Sequence, residues 1–486
     1  MDVTKVYQIR PSDELNTPRE EQFKLSTNDY LSPPIFLNFC LYFPLSDNDA
    51  KDDIINSLRR GLANTLGQCR SLLGTIERSS HEDYAIVVTQ ASTVDFTVHS
   101  LDGADHEPQA PTFAELQQAN FASMTLCDPA QLCAAIISSS PDPIHSPPVL
   151  AVQANFLRGG MALTIHFHHW ALDFVGFGTF VHQWAQHTKA VIYGTPPPAW
   201  DLASLDRSRL SIQAPHAASK RAQNHHRTVP AVQKNAPQPS TTSSVVVQQP
   251  DPVCHLLFHL RKSKAHHLKS LLQNEHTPHI STYDAFTALW WRLLLRHKVK
   301  SRSNTDLTAP APFFEAINMR LRLTPPLSPQ FLGNALFLAT SSALPEESQL
   351  SLGDVMHDAP LADVAAYVRR ITSSANSASF YAGLEAPTDG PRGGRPPLAL
   401  KMTDWRGPNV CAADFGFGRP TAMRQLFLGT ARAGKGNVYI YPVREREDGE
   451  VVFEFAVPVE MEGVDSFRAD GEVKEWFDFV AVEAET

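Results

Sequence analysis

The feature that most constrains this chain is the stretch from Pro196 to Pro252, rich in Pro, Ser, Gln, His and Thr and containing the run KNAPQPSTTSSVVVQQP. Such a composition cannot bury enough apolar surface to offset the entropy of ordering its backbone, so it reads as an exposed linker. The basic residues between Arg207 and Arg227 read as part of that solvated segment. The linker divides 486 residues into halves of similar size. Chains of this length split into more than one core. The expected organisation is therefore a first domain over 1–200, a crossover over 201–252 and a second domain over 253–486.

Periodicity fills in the halves. Ile54, Ile55, Leu58, Leu62 and Leu66 recur at helical spacing within Ala50 to Leu73. Tyr84 to Val88, Val149 to Phe156 and Ala162 to Phe167 read as strands, the last two joined as a hairpin by the Arg158-Gly159-Gly160 turn signal. Gly176 to Ile192 returns to a helical period. Beyond the linker, Val253 to Leu260 reads as a strand, and Ser281 to Arg296 as a helix capped by Ser281 or Thr282 with Asp284 in its first turn. Asn437 to Pro442 and Val451 to Val457 alternate like paired strands around Asp448-Gly449. Strands and helices mixed irregularly in both halves predict an α/β or α+β enzyme.

Hydrophobic residues make up 43% of the chain and charged residues 19%, a globular balance, and the formal charge of -9 disfavours nucleic acid as a partner. The cysteines at 40, 69, 127, 133, 254 and 411 form no CxxC pair, which disfavours a disulfide framework or a cysteine-rich zinc site. No run of eighteen or so apolar residues occurs, so no membrane span is expected. A cytoplasmic monomer with no nucleic-acid or membrane partner is the expectation.

The strongest chemical signal is His168-His169-Trp170-Ala171-Leu172-Asp173, where the chain leaves the Ala162 to Phe167 strand. Imidazole, with an ordinary pKa of about 6.5, can take a proton from a hydroxyl attacking a thioester and return it to the departing thiolate. His169 is the candidate base. Asp173 could orient it as in a triad. In a tight turn the two side chains diverge, and a buried carboxylate would instead pair with an arginine and hold the loop, which is the favoured role. A metal site is the other reading of clustered His166, His168 and His169. On a strand the first two share a face and the third opposes them, so at most two could share an ion.

Further segments in fixed order give the chain its resemblance to the BAHD acyltransferases, in particular their fungal branch of trichothecene 3-O-acetyltransferases. The HxxxD of that family matches His169 to Asp173, and its DFGWG matches Asp414-Phe415-Gly416-Phe417-Gly418. Between them lie Ile280 to Phe286 with Trp290 and Trp291, then Asn318-Met319-Arg320-Leu321-Arg322, Pro325-Pro326, Gly333-Asn334 and Thr403-Asp404-Trp405. Val152 to Phe156 with Gly159-Gly160 is similar to the fungal branch. The resemblance covers about residues 150 to 460. It departs from the family at Phe174, where Gly is common, and at Phe417, where Trp is usual.

The resemblance implies two chloramphenicol-acetyltransferase-like domains, each a mixed sheet with flanking helices, with a channel between them. Acyl-CoA, consumed as a co-substrate, would enter one face and a hydroxylated small molecule the other. No permanently bound cofactor or metal is implied. His169 would be the general base and Asp173 would pair with Arg320 or Arg322. Thr403 would face the oxyanion, Trp405 would line the pocket, and Asn318, Asp414, Phe415, Gly416 and Gly418 would support the fold. The expected activity is O-acyl transfer, with acetyl-CoA the expected donor, to a terpenoid or alkaloid hydroxyl of fungal secondary metabolism, without a covalent acyl-enzyme. N-acylation of an amine, a non-catalytic binding module and a condensation-type peptide synthetase domain are the alternatives. The last usually carries HHxxxDG, which Phe174 breaks. Two glycine-rich runs read as structure, not as phosphate cradles: Asp414 to Pro420 as a tight turn, Gly390 to Gly394 as a loop.

Overall fold

The computed structural model describes residues 3–13, 19–46, 49–79, 83–103, 110–123, 132–133, 146–212, 252–302, 304–385, 396, 398–427, 436–446 and 449–485. Residues 213–251 of the expected linker, the Gly390 to Gly394 loop, Cys127 and Asp448 lie outside them. The first half runs β1 (Val3–Ile9), β2 (Glu20–Lys24), β3 (Phe36–Pro44), α1 (Lys51–Gln68), β4 (Thr75–Arg78), β5 (Tyr84–Thr89) and β6 (Val94–Ser100). The hairpin β7 (Leu150–Leu157) and β8 (Gly160–His168) follows, then helix α2 (Phe174–Tyr193). The second half holds β9 (Val253–Arg261), α3 (Thr282–Lys300), β10 (Phe313–Asn318), β11 (Leu336–Thr340), α4 (Leu361–Ser374) and β12 (Leu400–Asp404). It ends with β13 (Ala422–Gln425), β14 (Asn437–Ile440), β15 (Arg444–Glu445), β16 (Val451–Glu460) and β17 (Asp478–Glu485).

These strands form two mixed sheets and a small third one. The first is six-stranded in the order β1-β6-β7-β8-β3-β13, and the second runs β11-β10-β12-β14-β16-β9-β17 with β15 beside β16. A three-stranded sheet, β2-β5-β4, flanks the first. The expected hairpin closes at Leu157 opposite Gly160, with Gly159 at φ +79. Every residue of β7 and β8 is buried, since the sheet is covered on both faces. The apolar stripe of α1 is buried, and the Trp184 indole of α2 donates to the Leu58 carbonyl at 2.9 Å, fixing one helix on the other. α1 stops at Gln68 rather than reaching Leu73, and a short 3-10 turn follows it.

In the second half, α3 opens with a capping box between Ser281 and Asp284. It buries Trp290 against Phe477 at 3.8 Å and Trp291 against Phe313 at 4.8 Å. β14 and β16 pair with Tyr439 opposite Ala456.

Two observations tie the halves together beyond the expected boundaries. β13, late in the chain, pairs antiparallel with β3, Ala422 opposite Tyr42, and so completes the first sheet. Its fully buried Arg424 reaches back to Glu454 of β16 in the second sheet at 2.9 and 3.1 Å. The start of the expected linker is also packed. Leu210 is fully buried and Arg207 forms an ion pair with Asp29 at 2.9 Å. Arg207 is thus a partner to a buried carboxylate and not a solvated linker charge. Among the described residues no helix is long and apolar enough to cross a membrane.

Candidate active site between the two sheets

The HxxxD segment leaves the end of β8 and turns into α2, with Asp173 as the helix cap. An irregular turn beside a core must satisfy its own backbone, and this one does so carbonyl by carbonyl. The His168 carbonyl accepts from Ala171 N at 2.9 Å. Those of His169 and Trp170 accept from the Asn334 side chain at 2.9 and 3.3 Å, and that of Ala171 from Arg207. The Leu172 carbonyl lies 3.2 Å from His169 Nδ1, and that of Asp173 accepts from Phe177 N at 2.8 Å. The Trp170 indole donates to the Ser32 carbonyl at 2.9 Å.

The Leu172 contact decides the tautomer of His169. A carbonyl can only accept, so Nδ1 carries the proton and Nε2 keeps its lone pair. Burial is the main influence pushing this imidazole below its ordinary 6.5; Asp173 opposes the shift and Lys401 adds to it. The ring is therefore neutral at physiological pH, the form that accepts a proton. His166 and His168 are engaged elsewhere. His166 Nδ1 lies 2.8 Å from Asn38 Oδ1, His168 Nδ1 accepts from Trp170 N at 3.3 Å, and burial lowers both to about 3.

Asp173 does not touch the His169 ring nitrogens in this geometry, because its oxygens are taken. Oδ1 accepts from Gly176 N at 2.8 Å and Arg320 Nη2 at 2.9 Å. Oδ2 accepts from Arg320 Nη1 at 2.9 Å and Ala335 N at 2.9 Å. Arg320, fully buried, spends its other donors on the Phe331 and Gly333 carbonyls and on Asn318 Oδ1. Arg322 points away, to the Thr372 and Ala375 carbonyls. Gly176 permits this docking: a Cβ there would lie 2.3 Å from the Leu332 carbonyl oxygen.

A second clamp escaped sequence reasoning. The buried Asp29 carboxylate accepts from Ser26 N at 2.7 Å, Arg207 Nη1 at 2.9 Å and Asn334 Nδ2 at 2.8 Å. It thereby holds the two side chains, Arg207 and Asn334, that secure the carbonyls of residues 169–171. The available signal was Gly333-Asn334; nothing around Asp29 marked its partner.

The second sheet supplies the facing wall. Leu400 and Met402 of β12 are buried in the second core, so Lys401 and Thr403 point to the opposite face. Thr403 lies opposite Tyr439 in register. Trp405 stacks on Tyr439 at 4.6 Å and on Phe174 at 5.3 Å, and meets Phe39 edge-on at 5.0 Å. Phe174, the departure beside the motif Asp, is thus the first-half surface on which Trp405 rests.

Asp414 to Gly418 sits at the other end of α2, a helix of 20 residues and so about 30 Å long. Asp414 pairs with Lys189 at 2.8 Å and accepts from Gly416 N at 2.9 Å; the Lys189 hydrogen bond is the main cause of its lowered pKa. Phe415 is buried edge-on to Phe43 and Trp184. Gly416 has φ +90, and a Cβ there would meet Ile192 Cδ1 at 3.0 Å and Lys189 Cα at 3.1 Å. This run braces α2 far from His169.

The chain is similar over nearly its whole length to known proteins. Residues 1–472 match the model of the Transferase family. Acetyltransferase FGR3 of Gibberella zeae is 34% identical over 492 residues, covering 98% of this chain and 94% of the relative. Acyltransferase easC of Emericella nidulans is 24% identical, over 93% of this chain and 94% of its own length. Among solved structures, F. graminearum TRI101 complexed with coenzyme A and T-2 mycotoxin superimposes with a TM-score of 0.69 at 18% identity, over 95% of this chain and all 100% of the other. Vinorine synthase superimposes at 0.64 with 15% identity, over 99% of each chain.

Proposed function

Because this chain belongs to the Transferase family of BAHD acyltransferases, we propose that it transfers an acyl group, acetyl in the first instance, from a CoA thioester to a hydroxyl of a fungal secondary metabolite. The observation that carries the mechanism is the His169 Nδ1 contact with the Leu172 carbonyl, which leaves Nε2 as the proton acceptor. With both substrates bound, Nε2 removes the hydroxyl proton as that oxygen attacks the thioester carbon. The C=O pair moves to oxygen and forms a tetrahedral oxyanion, toward which Thr403 donates. The pair then returns, the C–S bond breaks, and the CoA thiolate takes the proton from Nε2. No acyl-enzyme forms. A donor at the oxyanion contributes about 2.7–4 kcal/mol in other acyl-transfer sites. Asp173 and Arg320 hold the loop, and Trp405 forms the channel wall. The enzyme acts as a cytoplasmic monomer of two domains.

The test is release of free CoA thiol from acetyl-CoA with pooled hydroxylated acceptors, including terpenoid and alkaloid alcohols, and with amines alongside. Wild-type enzyme releases thiol and acetylates an alcohol, whereas His169→Ala binds CoA and does neither. Transfer undiminished in His169→Ala overturns the assignment of the base. CoA binding without transfer to any acceptor marks a binding module, and transfer confined to amines marks an N-acyltransferase.

A further inference from the structure

We propose that Arg207 is a positioning residue that sets which nitrogen of His169 carries the proton, an inference that rests on the reading of His169 as the base. Which nitrogen of a neutral imidazole keeps its lone pair is decided by the hydrogen bond that the other one makes. Here that bond runs from Nδ1 to the Leu172 carbonyl at 3.2 Å. In an irregular turn a carbonyl is aimed by the peptide before it, because each peptide is a rigid plane and the two planes meet at one Cα. The peptide before the Leu172 carbonyl carries the carbonyl of Ala171, a buried residue, and Arg207 Nη2 donates to it. Asn334 holds the carbonyls of His169 and Trp170, at the start of the turn. Arg207 acts on the plane that adjoins the acceptor of Nδ1.

Arg207 can do this because it is itself held. Its other terminal nitrogen, Nη1, pairs with the buried Asp29 carboxylate at 2.9 Å, and the side chain is 10% exposed. A planar fork with donors at both tips bridges a carboxylate and a carbonyl in one geometry. The backbone that carries it is anchored in both cores. Trp200 is buried in the first and its indole donates to Ser204 Oγ at 2.5 Å, while Leu210 is buried in the second. Between these anchors the Ser204 carbonyl accepts from Leu332 N at 2.8 Å, and Arg209 Nη1 donates to the Pro326 carbonyl at 3.1 Å. Without the guanidinium the Ala171 carbonyl is buried and unpaired, and its peptide turns to find a donor. The Leu172 carbonyl turns with it, Nδ1 loses its acceptor, and the proton settles on Nε2. The nitrogen needed as the base is then a donor, and turnover falls although the substrates still bind.

The experiment reads the tautomer and the turnover of the full chain separately. Histidine rings labelled with isotopic nitrogen are observed by NMR at about pH 8, where an ordinary imidazole is neutral. The signals of His169 are those missing from His169→Gln. Wild type should carry the proton on Nδ1 and Arg207→Ala on Nε2. In that variant kcat for thiol release should fall about 100-fold, as for a misplaced reacting group, with KM for acetyl-CoA unchanged. Added guanidinium ion, filling the space of the lost side chain, should restore both the tautomer and kcat. Arg209→Ala, whose side chain serves the Pro325 and Pro326 carbonyls and not the loop, should alter neither. If Arg207→Ala does not fold, Asp29→Asn combined with Arg207→Met removes both buried charges together with the donor to Ala171, and the same two readings apply. Nε2 already protonated in wild type, kcat intact in the variant, kcat lost with Nδ1 still protonated, or a loss that guanidinium leaves in place overturns the proposal. The tautomer is read without substrates, so this inference and the one beneath it fail apart. A proton moved to Nε2 in an enzyme whose His169→Ala variant still transfers acyl groups leaves Arg207 setting the tautomer and removes His169 as the base.

Discussion

Replacing Asp173 by Asn is the perturbation that best separates an orienting partner from an anchor. The carboxylate accepts from Gly176 N, Ala335 N and both terminal nitrogens of Arg320, all within 2.9 Å. Asparagine keeps one acceptor oxygen and turns an NH2 toward the remaining donors. Arg320 is fully buried and stays charged, so the pair becomes an uncompensated buried cation. Breaking a buried ion pair in this way costs about 3–5 kcal/mol. For a domain of 150–250 residues that corresponds to a melting temperature lower by on the order of 10 °C. The rate falls as well, by about 100-fold, because the loop presenting His169 loses its fixed geometry. Differential scanning fluorimetry and the thiol-release assay, run on the same preparation, read both quantities. A rate lost with the melting temperature unchanged would refute the reasoning and return Asp173 to an orienting, triad-like role.

His169 lies below its ordinary 6.5 through burial, so the acid limb of kcat/KM should have its inflection below pH 6.5, read from a pH–rate profile under subsaturating substrates. Stability should follow His166 and His168. Each has a folded pKa of about 3, and in the unfolded chain it titrates near 6.5, so their contribution is full above pH 6.5 and lost as pH falls toward 3. Melting temperature measured from pH 7 down to pH 4 should decline throughout. Gly416→Ala forces a Cβ into a φ of +90 with contacts at 3.0 and 3.1 Å, at about 1–3 kcal/mol. Its melting temperature should drop while kcat of the folded enzyme holds; a lost kcat with full stability would place the motif in the chemistry.

What was legible in the sequence depended on local pattern. The helix at Ser281 announced itself through a cap at Ser281 or Thr282 with Asp284 in the first turn, and the β7–β8 hairpin through its glycine turn, because both are fixed by residues a few positions apart. His169 to Asp173 was legible as a motif, but the partner of Asp173 was open between Arg320 and Arg322. That choice depends on how the chain turns after Asn318, where β10 ends and one arginine goes inward while the other goes to the end of α4. The Asp29 clamp was illegible for a stronger reason. Its members, Asp29, Arg207 and Asn334, come from three distant segments, each with ordinary local composition. Arg207 even lay in a stretch whose bulk composition argued for solvent. The four residues of β13 were too short for any periodicity to mark them.

β13 also bears on how the polypeptide is made. A ribosome delivers β3 and β8 early, but the strand that covers the outer edge of β3 emerges only when Ala422–Gln425 is synthesised. Until then the first sheet exposes a row of unpaired backbone groups, the kind of edge on which chains misassociate. The late strand carries Arg424, whose charge is neutralised inside the protein by Glu454, and Glu454 emerges later still. Closure of the first sheet is therefore a late step of synthesis, and a chain truncated before β13 would present that edge to every neighbour in the cell.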